Sequence, residues 1–398
     1  MLSSLKVRDF RIYWIGMFVS LVGTWLQTVA QSWLVFELTN SAFLLGMVGF
    51  LSSLPIFLLS LLGGVVTDRV NKKKILLCTQ VSFMVLAFVL ATLTQLRLIT
   101  PVHVMMIAVL NGVVMAFDAP TRHAIVAELV GREKLLNAIA LNSAAFNSSR
   151  IIGPALAGIL IAAIGMSGCF FLNGISFLAV ILALSIIKLR PVRKIQKRAL
   201  FINDILDGMN FIRSSRTVII LISMVGVTSL FGTSYVILMP VFARDILHAG
   251  VRGLGMLMSA TGCGALLAAL TLAALGNFKY KGRILVCSAL VFSIAMACFS
   301  LSRVYLLSLA IVAVVGYGSV MSISLINTIL QHIVPDHFRG RLMSVYMITF
   351  AGVMPFGNLI AGSLTQVWGA SWTVFMGALL CAVFFVFVNF FYPQVRKL

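Results

Sequence analysis

The chain is a succession of apolar runs, each about as long as a membrane is thick. Twelve can be counted, over 12–36, 42–66, 75–93, 102–117, 135–164, 169–187, 218–241, 254–275, 284–301, 305–325, 345–364 and 373–392. A helix needs about 20 predominantly apolar residues to cross a ~30 Å hydrocarbon core, so every run is a candidate crossing. None shows sustained period-2 alternation, which favours helices over a membrane barrel. Hydrophobic residues make up 61% of the 398 and charged ones 10%. A soluble fold of this size could not hide that much apolar surface, so the solvent must be lipid. The expectation is an all-α membrane protein of twelve transmembrane helices. The first run is too long for a signal-peptide core and lacks a convincing cleavage site, so it reads as a retained helix.

A net charge of +20 would suit nucleic acid, but its placement points elsewhere. If the N-terminus is cytoplasmic, only Arg97, Arg244, Arg252 and Arg303 among the 30 Lys and Arg lie on the outer side, and Arg150 lies within the membrane. That asymmetry is the positive-inside signal and puts both termini in the cytoplasm. The same basic loops favour anionic headgroups, making membrane lipids a partner and nucleic acid none.

The longest polar interruption, Lys188–Ser215, divides the runs six and six. Three parts follow: an N-terminal six-helix bundle over 1–187, a cytoplasmic linker over 188–216 and a C-terminal bundle over 217–398. In the linker Phe201, Ile205, Met209 and Ile212 repeat at helical spacing, which predicts an amphipathic helix on the membrane surface. The halves share landmarks. GGVVTDRVNKKK (Gly63–Lys74) and NFKYKGR (Asn277–Arg283) are short basic loops in matching positions, and GPALAG (Gly153–Gly158) in the fifth run matches GNLIAG (Gly357–Gly362) in the eleventh. Two pseudo-symmetric bundles with matching landmarks leave a cavity between them that rocking exposes alternately.

Polar residues inside the runs are the candidates for function. Arg150 lies about 15 residues into the fifth run, near mid-membrane at ~1.5 Å per residue. Placing it there costs at least ~2.5 kcal/mol on the insertion scale, which a cavity, a carboxylate or helix-end carbonyls must offset. Ser143, Asn147, Arg150 and Pro154 form one stripe, so Arg150 either faces the central cavity, where it attracts an anionic substrate group or controls a nearby carboxylate, or braces the kink at Pro154. A second stripe, Ser20, Thr24, Gln27 and Gln31, offers hydrogen bonds to a ligand or to a neighbouring helix. Asn111, Asn142, Tyr235 and Asn358 are further cavity candidates. Glu37 is a proton acceptor or an interfacial charge. Gly153, Pro154 and Gly158, with Gly255, Ser259, Gly262 and Gly264 in the eighth run, suit close backbone approach. The six Cys form no CxxC pair and the five His no metal-site spacing. No GxxxxGK[ST] and no nucleophile–base constellation is present. No metal, no cofactor and no enzyme activity are expected.

GxxxDRxxKK at Gly64–Lys73 resembles the loop signature of the major facilitator superfamily, and the GPxxAG of the fifth run resembles that superfamily's antiporter motif. The segments Gln27–Gly46, Phe117–Gly158 and Val334–Ile348 look like the branch of enterobactin-exporter-like and macrolide-efflux-like proteins. The resemblance runs from about Lys6 to the end of the last run. It departs at Asn71, where the loop usually has Gly, and at Ala108, where many proton-linked members carry Arg. The antiporter motif is partial, with Ser149 and Ala157 at usual Gly positions. The resemblance implies the major facilitator fold. It also implies a cytoplasmic gate built from Gly64, Asp68, Arg69, Lys72, Lys73, Asp118 and Arg122, in which Arg69 reaches Asp118.

The resulting expectation is a bacterial inner-membrane secondary transporter working by alternating access. It exports an amphiphilic small molecule of the drug or siderophore class in exchange for protons. An importer or lipid flippase of the same fold, or a membrane sensor that transports nothing, are the alternatives.

Overall fold

The computed structural model describes residues 3–187, 215–276 and 278–397, with the side chains of Arg132, Asp336 and His337 left aside. The expected linker helix around Phe201–Ile212 lies outside the described residues. Among the described residues ten helical stretches are long and apolar enough to cross a membrane. In chain order they begin with α1 (Arg8–Thr39), α2 (Ala42–Arg69), α3 (Lys72–Gln95) and α4 (Pro101–Gly131). The fifth stretch, Glu133–Ile186, is 54 residues long. At ~1.5 Å per residue it is far longer than a ~30 Å core. Its middle holds Gly165 at φ 73°, ψ 176°, outside helical geometry, so it is two helices, α5 before that glycine and α6 after it. Then come α7 (Arg216–Ile246), α8 (Gly250–Leu275), α9 (Lys281–Leu301) and α10 (Tyr305–Ile333). The last stretch, Phe338–Phe391, is again 54 residues and breaks at Gly369 (φ 77°) into α11 and α12. Breaking both long stretches at their glycines divides the ten into twelve helices among the described residues, against twelve apolar runs in the sequence.

Local chemistry sets the ends of these helices. Asn40 closes α1 in the left-handed region at φ 48°, which Asn tolerates better than most residues. Asn71 opens α3, its side-chain oxygen accepting from the backbone N–H of Lys73 and Lys74, so the Asn standing for the usual loop Gly acts as an N-cap. Thr100 and His103 make a reciprocal cap at the start of α4.

The described residues fall into two compact units. Unit 1 takes those up to Ile187 together with Gly250–Ser259, the first part of α8. Unit 2 takes those from Ser215 to Ala249 and those from Ala260 onward. Each unit brings backbones together at glycines. In unit 1, a Cβ on Gly153 of α5 would stand 2.5 Å from Trp25 Cβ and 2.9 Å from the Val22 carbonyl oxygen of α1. In unit 2, a Cβ on Gly357 of α11 would stand 2.4 Å from the Leu230 carbonyl oxygen of α7. The opening glycines of GPALAG and GNLIAG thus do the same work, seating the fifth helix of each half against the first. The internal repeat is therefore one of packing as well as of sequence.

Candidate functional site

The basic loop after α2 shows how unit 1 uses its charge. Lys72 pairs with Glu128 of α4 at 2.7 Å. Lys73 reaches the last carbonyls of α6, donating to Ser185 O at 3.2 Å and Ile187 O at 2.9 Å. A cation there satisfies carbonyls that have no partner within the helix and sits at the negative end of its dipole. Two of the three lysines therefore tie α3 to α4 and α6.

Asp118 is the centre of a buried polar cluster below that loop. It is 0% exposed, and its Oδ1 accepts from Thr79 Oγ1 at 2.7 Å and Gln80 Nε2 at 2.8 Å, both on α3. Its Oδ2 pairs with Arg122 one turn on. An acid four residues before a base is the favourable order on a helix. Alongside, Thr67 of α2 and Thr121 of α4 share a 2.7 Å hydrogen bond.

The residues of the expected gate divide. Asp118 and Arg122 come together, while Asp68 and Arg69 are exposed and make no ion pair among the described residues. Arg69 ends α2 beyond the buried layer, whereas Asp118 is closed in by α3, so the neighbouring turn supplies its counter-charge. Of the two glycines near the end of α2, Gly63 rather than Gly64 sits at a close backbone approach. A Cβ on Gly64 would meet nothing within 4 Å, whereas one on Gly63 would stand 2.0 Å from the Ala116 carbonyl oxygen of α4.

Arg150 is half-buried and has no carboxylate partner among the described residues. Its guanidinium lies over the Trp25 ring of α1, 5.9 Å from the centroid, and Phe146 meets the same indole edge-on at 6.0 Å. An aromatic face offsets part of a cation's desolvation without cancelling its charge. One turn beyond, Pro154 cannot donate to the Arg150 carbonyl and disturbs the ladder there. Ser259 of α8 donates to Ile151 O at 2.7 Å, and Gly255 and Gly158 let α8 reach this turn. A Cβ on Gly255 would stand 2.3 Å from Pro154 O, and one on Gly158 would stand 3.0 Å from Arg252 Cα.

Several expected ligand residues are engaged by protein. Gln27, 8% exposed, accepts from Asn173 Nδ2 of α6 at 2.6 Å, and Ser176 closes the layer by donating to Asn173 O at 2.7 Å. Gly23 explains the approach, since a Cβ there would stand 2.4 Å from Ser176 Oγ. The helix–helix alternative for Gln27 is the one realised. Gln31 of the same stripe is half-buried. Asn147 donates to Ser143 O in its own helix at 2.8 Å. Tyr235 is buried edge-on to Phe299 at 6.5 Å. Asn358 is also buried. Asn111 and Asn142 are half-buried and Glu37 is exposed at the end of α1. Sequence reasoning missed Trp25, Thr79, Gln80, Asn173 and Ser176. Gln80 and Asn173 are amides within apolar runs, a signal that could have found them.

Helical membrane crossings, a packing repeat between halves and a half-buried arginine with no carboxylate partner among the described residues are the features of a multi-pass transporter. The whole chain, residues 1–398, matches the family model described as transmembrane secretion effector, and the protein belongs to that family of the major facilitator superfamily. It is similar to the staphyloferrin A transporter of Staphylococcus aureus, 27% identical over 88% of each chain. The multidrug efflux pump Tap of Mycolicibacterium fortuitum is 27% identical over 94% of this chain and 93% of its own. The enterobactin exporter EntS of Citrobacter koseri is 26% identical over 87% and 82%. A crystal structure of a D-xylose–proton symporter shares the fold, with a TM-score of 0.76 at 14% identity over 97% of this chain and 99% of that one.

Proposed function

We propose that this transporter exports an amphiphilic organic molecule bearing at least one anionic group, across a bacterial inner membrane and in exchange for protons. Arg150 carries the reading. A cation within an apolar run, held over Trp25 and without a carboxylate partner among the described residues, is a ready counter-charge for an anionic ligand group. A siderophore-type substrate has that chemistry, and relatives named for staphyloferrin A and enterobactin support the class. The flat indole beside the guanidinium suits the apolar part of the same molecule.

Both termini lie in the cytoplasm in this reading, which the basic loops support. Asp118 and Arg122 hold the loop end of unit 1 in one arrangement. Asp68 and Arg69, exposed and without an ion pair among the described residues, engage on the cytoplasmic side when the transporter changes state. Glu37, exposed at the end of α1, is the carboxylate available to a coupling proton.

Whole-cell accumulation of a matched pair tests the substrate class, one amphiphile as its carboxylate and the other as its methyl ester, in an efflux-deficient host. Expression is expected to lower accumulation of the carboxylate severalfold more than that of the ester, and Arg150→Ala to abolish the difference. Equal handling of both by wild type and Arg150→Ala would overturn the assignment.

A further inference from the structure

A groove of about 330 Å³ runs along unit 1 beside the basic loop. One wall is the Lys74, Cys78 and Ser82 stripe of α3 with Thr79 beside it; the other is Val113, Val114 and Phe117 of α4. Its hydroxyls are already committed. Ser82 donates to Cys78 O at 2.9 Å and Thr79 to Asp118 at 2.7 Å. The walls therefore offer a ligand hydrocarbon, and the one charged side chain, Lys74, stands at the loop end.

That lysine differs from its neighbours. Lys72 is spent on Glu128 and Lys73 on the carbonyls of α6, while Lys74 is exposed with its ammonium unpaired among the described residues. An apolar channel with a single free cation at one end is complementary to an amphiphile with a single anionic head. We propose that the groove holds one acyl chain of an anionic phospholipid from the surrounding bilayer, its phosphate on Lys74. Lipid headgroups lie at the level of the basic loop and acyl chains extend toward the helix middles, the direction from Lys74 to Ser82. Thr79, a donor to Asp118, is the point where the lipid meets the buried cluster, so an occupied groove covers that side of Asp118. The proposal is independent of what the transporter exports.

The test uses the full chain purified in detergent, with Cys78 as a reporter in the groove wall. Alkylation of Cys78 by N-ethylmaleimide is followed by peptide mass mapping, with exposed Cys287 of α9 as the internal control. Added dioleoyl phosphatidylglycerol is expected to slow Cys78 alkylation severalfold, leave Cys287 unchanged and exceed the effect of phosphatidylcholine. Lys74→Gln should abolish the preference for phosphatidylglycerol. Val113→Trp, which fills the groove, should remove protection by either lipid. Equal protection by both lipids in wild type, protection unchanged in Lys74→Gln, or slowing of Cys78 and Cys287 alike would overturn the proposal. So would slowing produced only by exported amphiphiles.

Discussion

Removing the Asp118 carboxylate should destabilise unit 1 through the groups it leaves behind. Asp118→Leu takes the acceptor from Thr79 and Gln80 and strands Arg122, whose side chain is only 18% exposed. Breaking a buried pair by deleting one partner costs about 3–5 kcal/mol. Replacing both, as Asp118→Leu with Arg122→Met, removes the stranded charge. Thr79 keeps its bond to Leu76 O at 3.0 Å, so the main residual cost is the Gln80 amide, about 1–3 kcal/mol for one unsatisfied buried donor. The double variant should therefore be about 2 kcal/mol more stable than Asp118→Leu alone. Unfolding of the purified protein by SDS in mixed micelles, followed by far-UV circular dichroism, gives the three free energies. A double variant no more stable than Asp118→Leu would refute the claim that Asp118 and Arg122 form one compensated unit.

The neighbouring glycines make a paired test. Gly63→Ala puts a methyl against the Ala116 carbonyl and should cost about 1–3 kcal/mol of overpacking, whereas Gly64→Ala meets no atom and should gain up to about 1 kcal/mol of helix propensity. Thermal unfolding of the two variants gives the sign. Lys73→Met should cost about 0.3–1 kcal/mol and speed hydrogen exchange in the last turn of α6, where the carbonyls of Ser185 and Ile187 lose their donor. A double-mutant cycle of Gln27→Leu with Asn173→Leu should return a coupling near ~0.6 kcal/mol, the usual size for a hydrogen bond between membrane helices. Zero coupling would free Gln27 to serve as a ligand group.

The fold was legible because lipid imposes a simple rule, that every crossing must be a long apolar helix, and the runs obey it. Gly165 and Gly369 mark the two breaks that an unbroken apolar helical pattern hides, and glycine is the residue a positive φ favours. The repeat was legible in GPALAG and GNLIAG because both motifs meet the same helix in their half. Partner choice was harder to read. Helical spacing puts Gln27 on a face of α1 but does not say whether Asn173 or a substrate stands opposite. The loop signature places Arg69 and Asp118 near one another, yet a same-helix arginine one turn away supplies the charge at less cost in side-chain order. Trp25 was invisible as a partner of Arg150, since the two are far apart in sequence and a tryptophan in a membrane helix has many ordinary uses.

Uptake into inverted membrane vesicles tests the central claim most directly, with siderophore-type and drug-type compounds offered with and without a proton gradient. The account predicts gradient-dependent uptake of an anionic amphiphile by wild type, and loss of that uptake in an Arg150→Ala protein expressed at the same level. Full uptake by Arg150→Ala, or accumulation only in right-side-out vesicles, would contradict it.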